Sequence, residues 1–471
     1  MTLATRLDQA PWRPVHNRIL LALGIGWALD SFEVQIIGSV LTPLGRDFGL
    51  LGADGAISPG AVSVIWVVWF AGLMTGATAF GWLADRYGRK RLFVATLVMY
   101  SIATVVSAFS PTFLVFLVFR FITAMGVGGE YSAVTSAIAE FMPSRRRGAA
   151  TAATMNFWSV GGIVAGLVGI FFLNGFVATR LALGGVSLSA WRFCLLAGAA
   201  AAVYALIARR AIPESPRWLA SQGHRAQASA IVTEITGIED DGTDPVAGLP
   251  NTRSLGAQVG ELWTNWRPRL VYGMLLEFSG TAAYYGLFTF LSAYVLIPQQ
   301  VAVSSATVPL FYLIGNLGAL AGGFTVAALI DRLGRTTVTR LSFGTASISV
   351  LLLAVAALAK SPAATLVAFT LCVFSATCSW ISAYTTFSEL FPTELRATGV
   401  GVSVTAGRLG GMVGVVGLSY AVVGLGLISA FAILAVFFAI GAIGALLWGR
   451  RGGIEGRGLS LDAVASVAAT G

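Results

Sequence analysis

The stretch GWLADRYGRKR (81–91) returns in altered form as ALIDRLGRTT (328–337). Both copies contain the pattern Asp-Arg-x-Gly-Arg, and each follows a long apolar segment. The aspartates of the two copies, Asp85 and Asp331, are 246 residues apart. A charged loop that follows an apolar segment twice in one chain predicts two similar halves built from apolar helices.

A second motif repeats at nearly the same distance. The pattern Glu-x-x-Pro-x-x-x-Arg runs from Glu140 to Arg147 and again from Glu389 to Arg396. The two glutamates are 249 residues apart, close to the offset of the first motif. Two unrelated motifs that repeat at one spacing indicate an internal duplication, which is typical of secondary transporters.

Composition places the chain in a membrane. Its 471 residues are 56% hydrophobic and 11% charged, and the mean hydropathy is +0.81. A soluble domain carries about 25% charged residues, so a water-soluble enzyme is excluded. The three cysteines and two histidines form no metal-ligand spacing, and no nucleophile–base pair is evident. We expect a membrane protein that is not an enzyme and that has no metal site and no cofactor.

Twelve segments are long and apolar enough to cross a bilayer, which takes about 20 residues. Together they predict an all-α membrane protein with two pseudo-symmetric bundles of six helices. The predicted spans are 18–42, 62–83, 92–110, 112–139, 148–173, 190–210, 269–296, 304–328, 338–358, 363–388, 397–421 and 424–448.

The polar segments divide the chain around these spans. The predicted units are an N-terminal segment (1–17), a first bundle (18–210), a connector with a short helix (211–267), a second bundle (268–449) and a disordered tail (450–471). Within the tail, 454–457 matches a common protease-cleavage tag, and we assign it no function.

The basic residues predict how the chain is oriented. With the N-terminus in the cytoplasm, 24 of the 30 Lys and Arg residues fall on the cytoplasmic side, as the positive-inside rule requires. We therefore expect both termini in the cytoplasm and a multi-pass protein of the plasma membrane, the inner membrane of a bacterium. Because topology accounts for the net charge of +9, we expect the lipid bilayer as a partner and no nucleic acid.

The motifs resemble those of the major facilitator superfamily. The loops 81–91 and 328–337, the Glu-x-x-Pro-x-x-x-Arg pair and PESPR (213–217) are similar to the branch of sugar porters and organic ion transporters. The segment RFITAMGVGGEYSAVTSAIAEFMPSRRRG (120–148) is similar to bacterial metabolite–proton symporters. The resemblance implies the major facilitator fold, transport by alternating access and a monomer.

The resemblance also implies a charge network at the cytoplasmic ends of the helices. A carboxylate there can cap a helix N-terminus, and the neighbouring arginines can pair with carboxylates. Such a network would hold the cytoplasmic side closed; the alternative is that the basic residues only fix the topology. The predicted gate residues are Asp85, Arg89, Glu140, Arg147, Glu214, Arg217, Asp331, Arg335, Glu389 and Arg396.

Ionisable residues inside the spans are costly and are functional candidates. Asp30 and Arg120 lie at a similar predicted depth, so we expect them to pair and to form a proton switch, as in similar symporters. Glu33 is one helical turn from Asp30 and is a second candidate proton carrier. The alternative is a static ion pair. Glu130, near the cytoplasmic end of its span, is expected to be structural.

The substrate is predicted from the remaining charges and the aromatic residues. Arg408 lies near the midplane among glycines, where a guanidinium can bind a carboxylate through two hydrogen bonds; the alternative is an ion pair with Glu277. The other predicted substrate-binding residues are Tyr284, Tyr285, Trp380, Tyr384, Asn156 and Asn316.

These residues predict proton-coupled symport of a small organic anion, a monocarboxylate or an aromatic acid. Two alternatives stay open. One is a proton-coupled transporter of organic cations or drugs, in which the buried carboxylates serve as counter-ions. The other is a sugar or polyol porter, although the seventh span lacks the paired glutamines of those proteins.

Overall fold

The computed structural model describes residues 6–7, 10–52, 55–143, 146–174, 181–183, 186–200, 203–204, 207, 212–239, 254–296, 300–304, 306–391 and 395–455. Within these ranges the side chains of some residues are not described, among them several of the predicted gate.

The first half consists of long helices followed by a small hairpin. The helices are α1 (Pro14–Asp47), α2 (Pro59–Tyr87), α3 (Arg89–Ala108), α4 (Phe113–Phe141), α5 (Arg147–Asn174) and α6 (Ala190–Leu196), which continues as one 3₁₀ turn, Ala197–Ala199. The strands β1 (Leu181–Leu183) and β2 (Val186–Leu188) pair antiparallel before α6 and were not predicted from the sequence.

The connector consists of short helices, and the second half again consists of long ones. The connector contains three short helices, α7 (Pro216–Ser221), α8 (Arg225–Thr236) and α9 (Leu255–Asn265), where the sequence predicted one. The second half contains α10 (Arg267–Phe290), which continues as a π-helical turn (Leu291–Val295), and then α11 (Val308–Leu333), α12 (Arg335–Leu358), α13 (Pro362–Ser388), α14 (Arg396–Leu425) and α15 (Leu427–Arg450).

The repeated charged loops separate consecutive helices in the same way in both halves. Gly88 lies between α2 and α3 with φ of 95°, and Gly334 lies between α11 and α12 with φ of 89°. This region of backbone conformation favours glycine, because a Cβ atom is strained there. The glycine of the Asp-Arg-x-Gly-Arg motif is therefore the residue that lets one helix end and the next begin at once.

Glycines also bring pairs of helices into close contact. A Cβ atom at Gly161 of α5 would clash with the carbonyl oxygen of Ala28 in α1. At the matching place in the second half, a Cβ atom at Gly414 of α14 would clash with the carbonyl oxygen of Ala282 in α10. Small residues permit such approach between membrane helices. Within the described residues, the most extensive contacts between the halves are those of α5 with α11 and of α2 with α14.

The helical architecture confirms the predicted fold class. Each predicted span lies on a helix within the described residues, and ten of these helices are long and apolar enough to cross a membrane. The sixth span is described only in part. The first helix is longer than predicted, extending from Pro14 to Asp47 rather than over 18–42.

Candidate functional site

One cavity between the halves brings together most of the predicted substrate residues. It is formed by α5 of the first half and by α10, α13 and α14 of the second. It is lined by Trp158, Glu277, Thr281, Tyr284, Tyr285, Trp380, Tyr384, Val404 and Arg408. Six of these nine residues were predicted, and they come from separate helices that the fold places side by side.

The aromatic residues of the cavity form a continuous wall. Trp158 and Trp380 pack with ring centroids 6.0 Å apart, and Trp27 of α1 stacks on Trp380 at 6.4 Å with 12° between the ring planes. The indole nitrogen of Trp158 donates a hydrogen bond of 3.0 Å to the hydroxyl of Tyr284. Flat rings held in this way offer stacking surfaces to an aromatic ligand.

Two charged side chains of opposite sign face the same cavity. Glu277 is 5% exposed, and its Oε2 accepts a hydrogen bond of 3.4 Å from Thr281. Its Oε1 has no hydrogen-bond partner among the described residues. Arg408 of α14 interacts with Glu277 electrostatically. The two opposite charges therefore lie on one wall of the cavity, where a ligand that enters meets both.

Two predicted substrate residues lie elsewhere. Asn156 of α5 donates to the carbonyl of Leu320 at 3.3 Å, and Asn316 of α11 donates to Oε1 of Gln35 at 2.7 Å. Neither lines the cavity. Their amides instead donate hydrogen bonds to polar groups where the halves pack together, because buried polar groups need partners. The sequence pattern does not reveal these partners. Their contact with substrate stays a prediction.

The expected pair between Asp30 and Arg120 does not form. Arg120 instead donates to Oε2 of Glu33 at 3.0 Å and to the main-chain carbonyl of Glu33 at 3.0 Å, and its guanidinium lies 4.4 Å from the ring of Trp69. The error comes from the length of α1. α1 extends past both predicted ends, and Arg120 lies level with Glu33, about one turn beyond Asp30 towards Asp47.

Asp30 faces a different carboxyl group. Its side chain interacts with that of Glu130 from α4, and both are fully buried. Neither carboxyl group has a hydrogen bond of ordinary geometry within the described part of the chain. From the sequence we expected Glu130 to be structural, because it lies near the end of its predicted span. In the structure it lies beside Asp30 of α1.

The charged motifs of the second half meet at one end of the bundle, which we call the basic end; it carries both Asp-Arg-x-Gly-Arg loops. Arg335 pairs with Asp331 at 2.7 Å and with the two carboxylate oxygens of Glu389 at 3.0 and 3.2 Å. Burial raises the pKa of Glu389 above its usual value, whereas Arg335 acts in the opposite direction. The bidentate pair ties the start of α12 to the end of α13.

A residue that sequence reasoning set aside completes this network. Glu455 follows α15 and accepts hydrogen bonds from the backbone N–H groups of Arg335 at 2.7 Å and Thr336 at 3.0 Å. In the first half, Glu214 accepts from the backbone N–H of Lys90 at 3.1 Å, at the start of α3. Both carboxylates lie at helix N-termini, where the helix dipole favours negative charge. Glu455 follows the second half as Glu214 follows the first, so the duplication could have identified it as a capping residue.

Several predicted gate residues fall outside the described side chains. Their backbones lie on helices, but the structure says nothing of where their side chains lie, and their roles stay predictions. They are Asp85, Arg89, Glu140, Arg147, Arg217 and Arg396.

Replacing Glu455 with glutamine is expected to lower the melting temperature by about 2 °C, because the cap of α12 loses its charge at a cost of about 1 kcal/mol. Differential scanning fluorimetry of the purified protein measures the change. Glu239→Gln is the matched control, since Glu239 is exposed on the connector. Equal melting temperatures for both variants would show that the cap adds nothing to stability.

Comparison with known proteins decides the family. The family model described as "Sugar (and other) transporter" matches residues 20–457. The chain belongs to this family of transporters. It is a transporter rather than an enzyme, because its family and its relatives are transporters and its fold is that of a transporter.

Two curated relatives and one solved structure show the range of similar proteins. The niacin transporter NiaP of Acinetobacter baylyi is 29% identical over 418 residues, which is 88% of each chain. The putative niacin/nicotinamide transporter NiaP of Bacillus subtilis is 28% identical over 415 residues, covering 85% of this chain and 88% of the relative. The proton:xylose symporter XylE shares the fold with a TM-score of 0.72 at 19% identity, covering 96% and 98% of the two chains. This transporter therefore shares its fold with XylE.

Proposed function

We propose that this transporter carries a small aromatic carboxylate together with a proton, by alternating access of one central site. The observation that carries the proposal is the cavity itself: an aromatic wall surrounds Arg408, the basic residue among its lining side chains. An aromatic ring can stack on Trp158 and Trp380 while its carboxylate binds the guanidinium.

The relatives support a pyridine carboxylate. Niacin is the substrate named for the relative from Acinetobacter baylyi, and niacin or nicotinamide for the relative from Bacillus subtilis. Nicotinate is a flat ring with one carboxylate, which matches a stacking surface beside one arginine. We therefore take nicotinate as the first substrate to test.

Proton coupling is supported by the balance of buried charge in the first half. Asp30, Glu33 and Glu130 are all buried, and Arg120 is the arginine that pairs with them, through Glu33. Burying two further unpaired carboxylates is costly, so a proton held between Asp30 and Glu130 would reduce the cost. XylE, which shares the fold, is named a proton:xylose symporter, and this supports proton coupling here.

We further propose that the basic end faces the cytoplasm of a bacterium and that the Asp331–Arg335–Glu389 network is remade as the halves move. The excess of Lys and Arg at this end supports the orientation. The transporter is then an importer of the inner membrane, driven by the inward proton gradient.

An organic cation is the second candidate, because Glu277 also faces the cavity. A sugar is less well supported, since the cavity wall offers few uncharged polar groups beyond Thr281 and the three tyrosine hydroxyls. The two candidates and nicotinate differ in charge, which makes them separable by experiment.

Uptake by proteoliposomes tests the proposed function. With an acidic exterior, we expect labelled nicotinate to accumulate, and a protonophore to remove the accumulation. Nicotinamide, which has the same ring and no charge, serves as the matched substrate and should enter at least about tenfold more slowly, since a hydrogen bond to a charged group contributes about 1.5–3 kcal/mol. Uptake of an organic cation or xylose in place of nicotinate would overturn the assignment.

A further inference from the structure

We propose that Glu277 is the residue whose protonation admits the substrate: it and the substrate carboxylate compete for Arg408, so that proton and anion bind together. This rests on the proposed function and goes beyond it, because it places a proton site inside the substrate cavity, separate from Asp30 and Glu33. The step is a reversible transfer of one proton from solvent to the Glu277 carboxylate.

The geometry of Glu277 carries the inference. It lies on α10, its exposed fraction is only 5%, and it lines the cavity together with Arg408 of α14. One carboxylate oxygen accepts from Thr281 at 3.4 Å, and the other has no hydrogen-bond partner among the described residues. A buried carboxylate with an unsatisfied oxygen that faces a cavity is placed to meet either a proton or a ligand.

The backbone beside Arg408 keeps the two groups on one wall. A Cβ atom at Gly407 would lie 2.7 Å from Oε2 of Glu277, so glycine at this position lets the carboxylate lie against α14. Arg408 and Glu277 therefore share one small space, and an anion that binds Arg408 there must lie close to Glu277.

Charge balance then fixes the direction of the coupling. With Glu277 ionised, the pair has no net charge, and an added carboxylate leaves one uncompensated negative charge in the cavity. With Glu277 protonated, Arg408 supplies one positive charge that the substrate neutralises. Protonation therefore strengthens anion binding, and by reciprocity the bound anion strengthens proton binding. The loaded cavity is electrically neutral.

The other groups around Glu277 do not account for such a dependence near neutral pH. Tyr284 and Tyr285 on its own helix and Tyr384 on α13 carry hydroxyls that ordinarily ionise near pH 10. From α14 the charged group in the cavity is Arg408, and α15 carries one charged residue, Arg450, at its far end. Asp30 of α1 interacts with Arg408 from the other half and is the competing group.

Equilibrium binding of nicotinate to the purified full-length protein tests the inference. The carboxyl group of nicotinate stays ionised between about pH 6 and pH 8, since carboxylic acids ordinarily ionise near pH 4. For the native protein we expect the dissociation constant to rise by up to about tenfold per pH unit above the point at which Glu277 ionises. In Glu277→Gln the dissociation constant should not change over this range. In Asp30→Asn, which tests the competing group, the dependence should remain.

Proton uptake provides a measurement that does not depend on a variant. In weakly buffered solution, nicotinate binding to the native protein should take up about one proton per molecule bound, whereas nicotinamide should take up none. Glu277→Asp, which keeps a carboxyl group, should retain the uptake if Glu277→Gln does not fold.

The outcomes separate the two proposals. If the native protein does not bind nicotinate, the proposed function is wrong. If nicotinate binds with no pH dependence and no proton uptake, or if Glu277→Gln behaves like the native protein, the role of Glu277 is wrong while the proposed function stands. Loss of the pH dependence in Asp30→Asn alone would transfer the role to Asp30.

Discussion

Replacing Arg408 with alanine is expected to weaken nicotinate binding by about ten- to a hundredfold and to remove proton-driven uptake. The guanidinium offers a carboxylate two parallel hydrogen bonds, and a hydrogen bond to a charged group contributes about 1.5–3 kcal/mol. In the cavity this loss is not shared with another cation, because Arg408 is the basic residue of the lining. Equilibrium binding and uptake by proteoliposomes, at equal amounts of reconstituted protein, measure the two effects.

Two further variants show what kind of interaction Arg408 makes. Arg408→Lys keeps the charge but loses the planar pair of donors, so binding should recover only in part. Arg340→Ala is the matched control, because Arg340 is exposed on α12 and should leave binding unchanged. Nicotinamide binding should be nearly equal in the native protein and in Arg408→Ala. If Arg408→Ala binds nicotinate normally, or instead gains affinity for organic cations only, the carboxylate site is wrong.

The fold could be read from the sequence because the membrane imposes simple rules. A spanning helix must be long and apolar, and the duplicated Asp-Arg-x-Gly-Arg loops mark the same helix junction in each half. The sequence was less informative where those rules do not apply. The hairpin of β1 and β2 and the three connector helices depend on contacts outside the apolar spans, which hydropathy does not report.

The cavity was predictable in part because its residues are of unusual type for a membrane helix. Arg408 and Glu277 are costly in an apolar span, and that cost identified them without any knowledge of the fold. Asn156 and Asn316 are polar for another reason, since each satisfies a group between packed helices. Residue type alone cannot separate these two cases, because both place a polar side chain inside the bundle.

Depth was the weakest part of the sequence reasoning. Counting 1.5 Å per residue from a predicted end placed Asp30 opposite Arg120, but an error of a few residues in that end equals a full turn. The structure shows that Glu33 takes this place, and that Asp30 faces Glu130. The chemistry of the first half was thus recognised in kind, while its pairing required the three-dimensional structure.

Asp30→Asn is expected to abolish accumulation of nicotinate driven by a pH gradient while sparing exchange of labelled for unlabelled nicotinate. Exchange requires only that the loaded carrier alternates between opening to one side and to the other. Accumulation also requires the empty carrier to return, and the loaded and empty carriers must differ in protonation. An amide of the same shape resembles the protonated carboxyl group permanently, so the empty carrier cannot release this proton and return, even though Glu277 still takes up a proton with the substrate. Proteoliposomes assayed in both modes, with the same preparation, measure the two activities.

The Glu33–Arg120 pair distinguishes this role from a structural one. Glu33→Gln removes a carboxylate that holds Arg120 through a hydrogen bond of 3.0 Å, leaving a buried guanidinium short of its partner, so we expect exchange and thermal stability to fall together. Asp30 makes no hydrogen bond of ordinary geometry within the described residues, and its replacement by asparagine should leave the melting temperature nearly unchanged. Equal loss of exchange and accumulation in Asp30→Asn would show that Asp30 supports the structure and does not couple the proton, because a coupling residue is needed only for the step that the gradient drives.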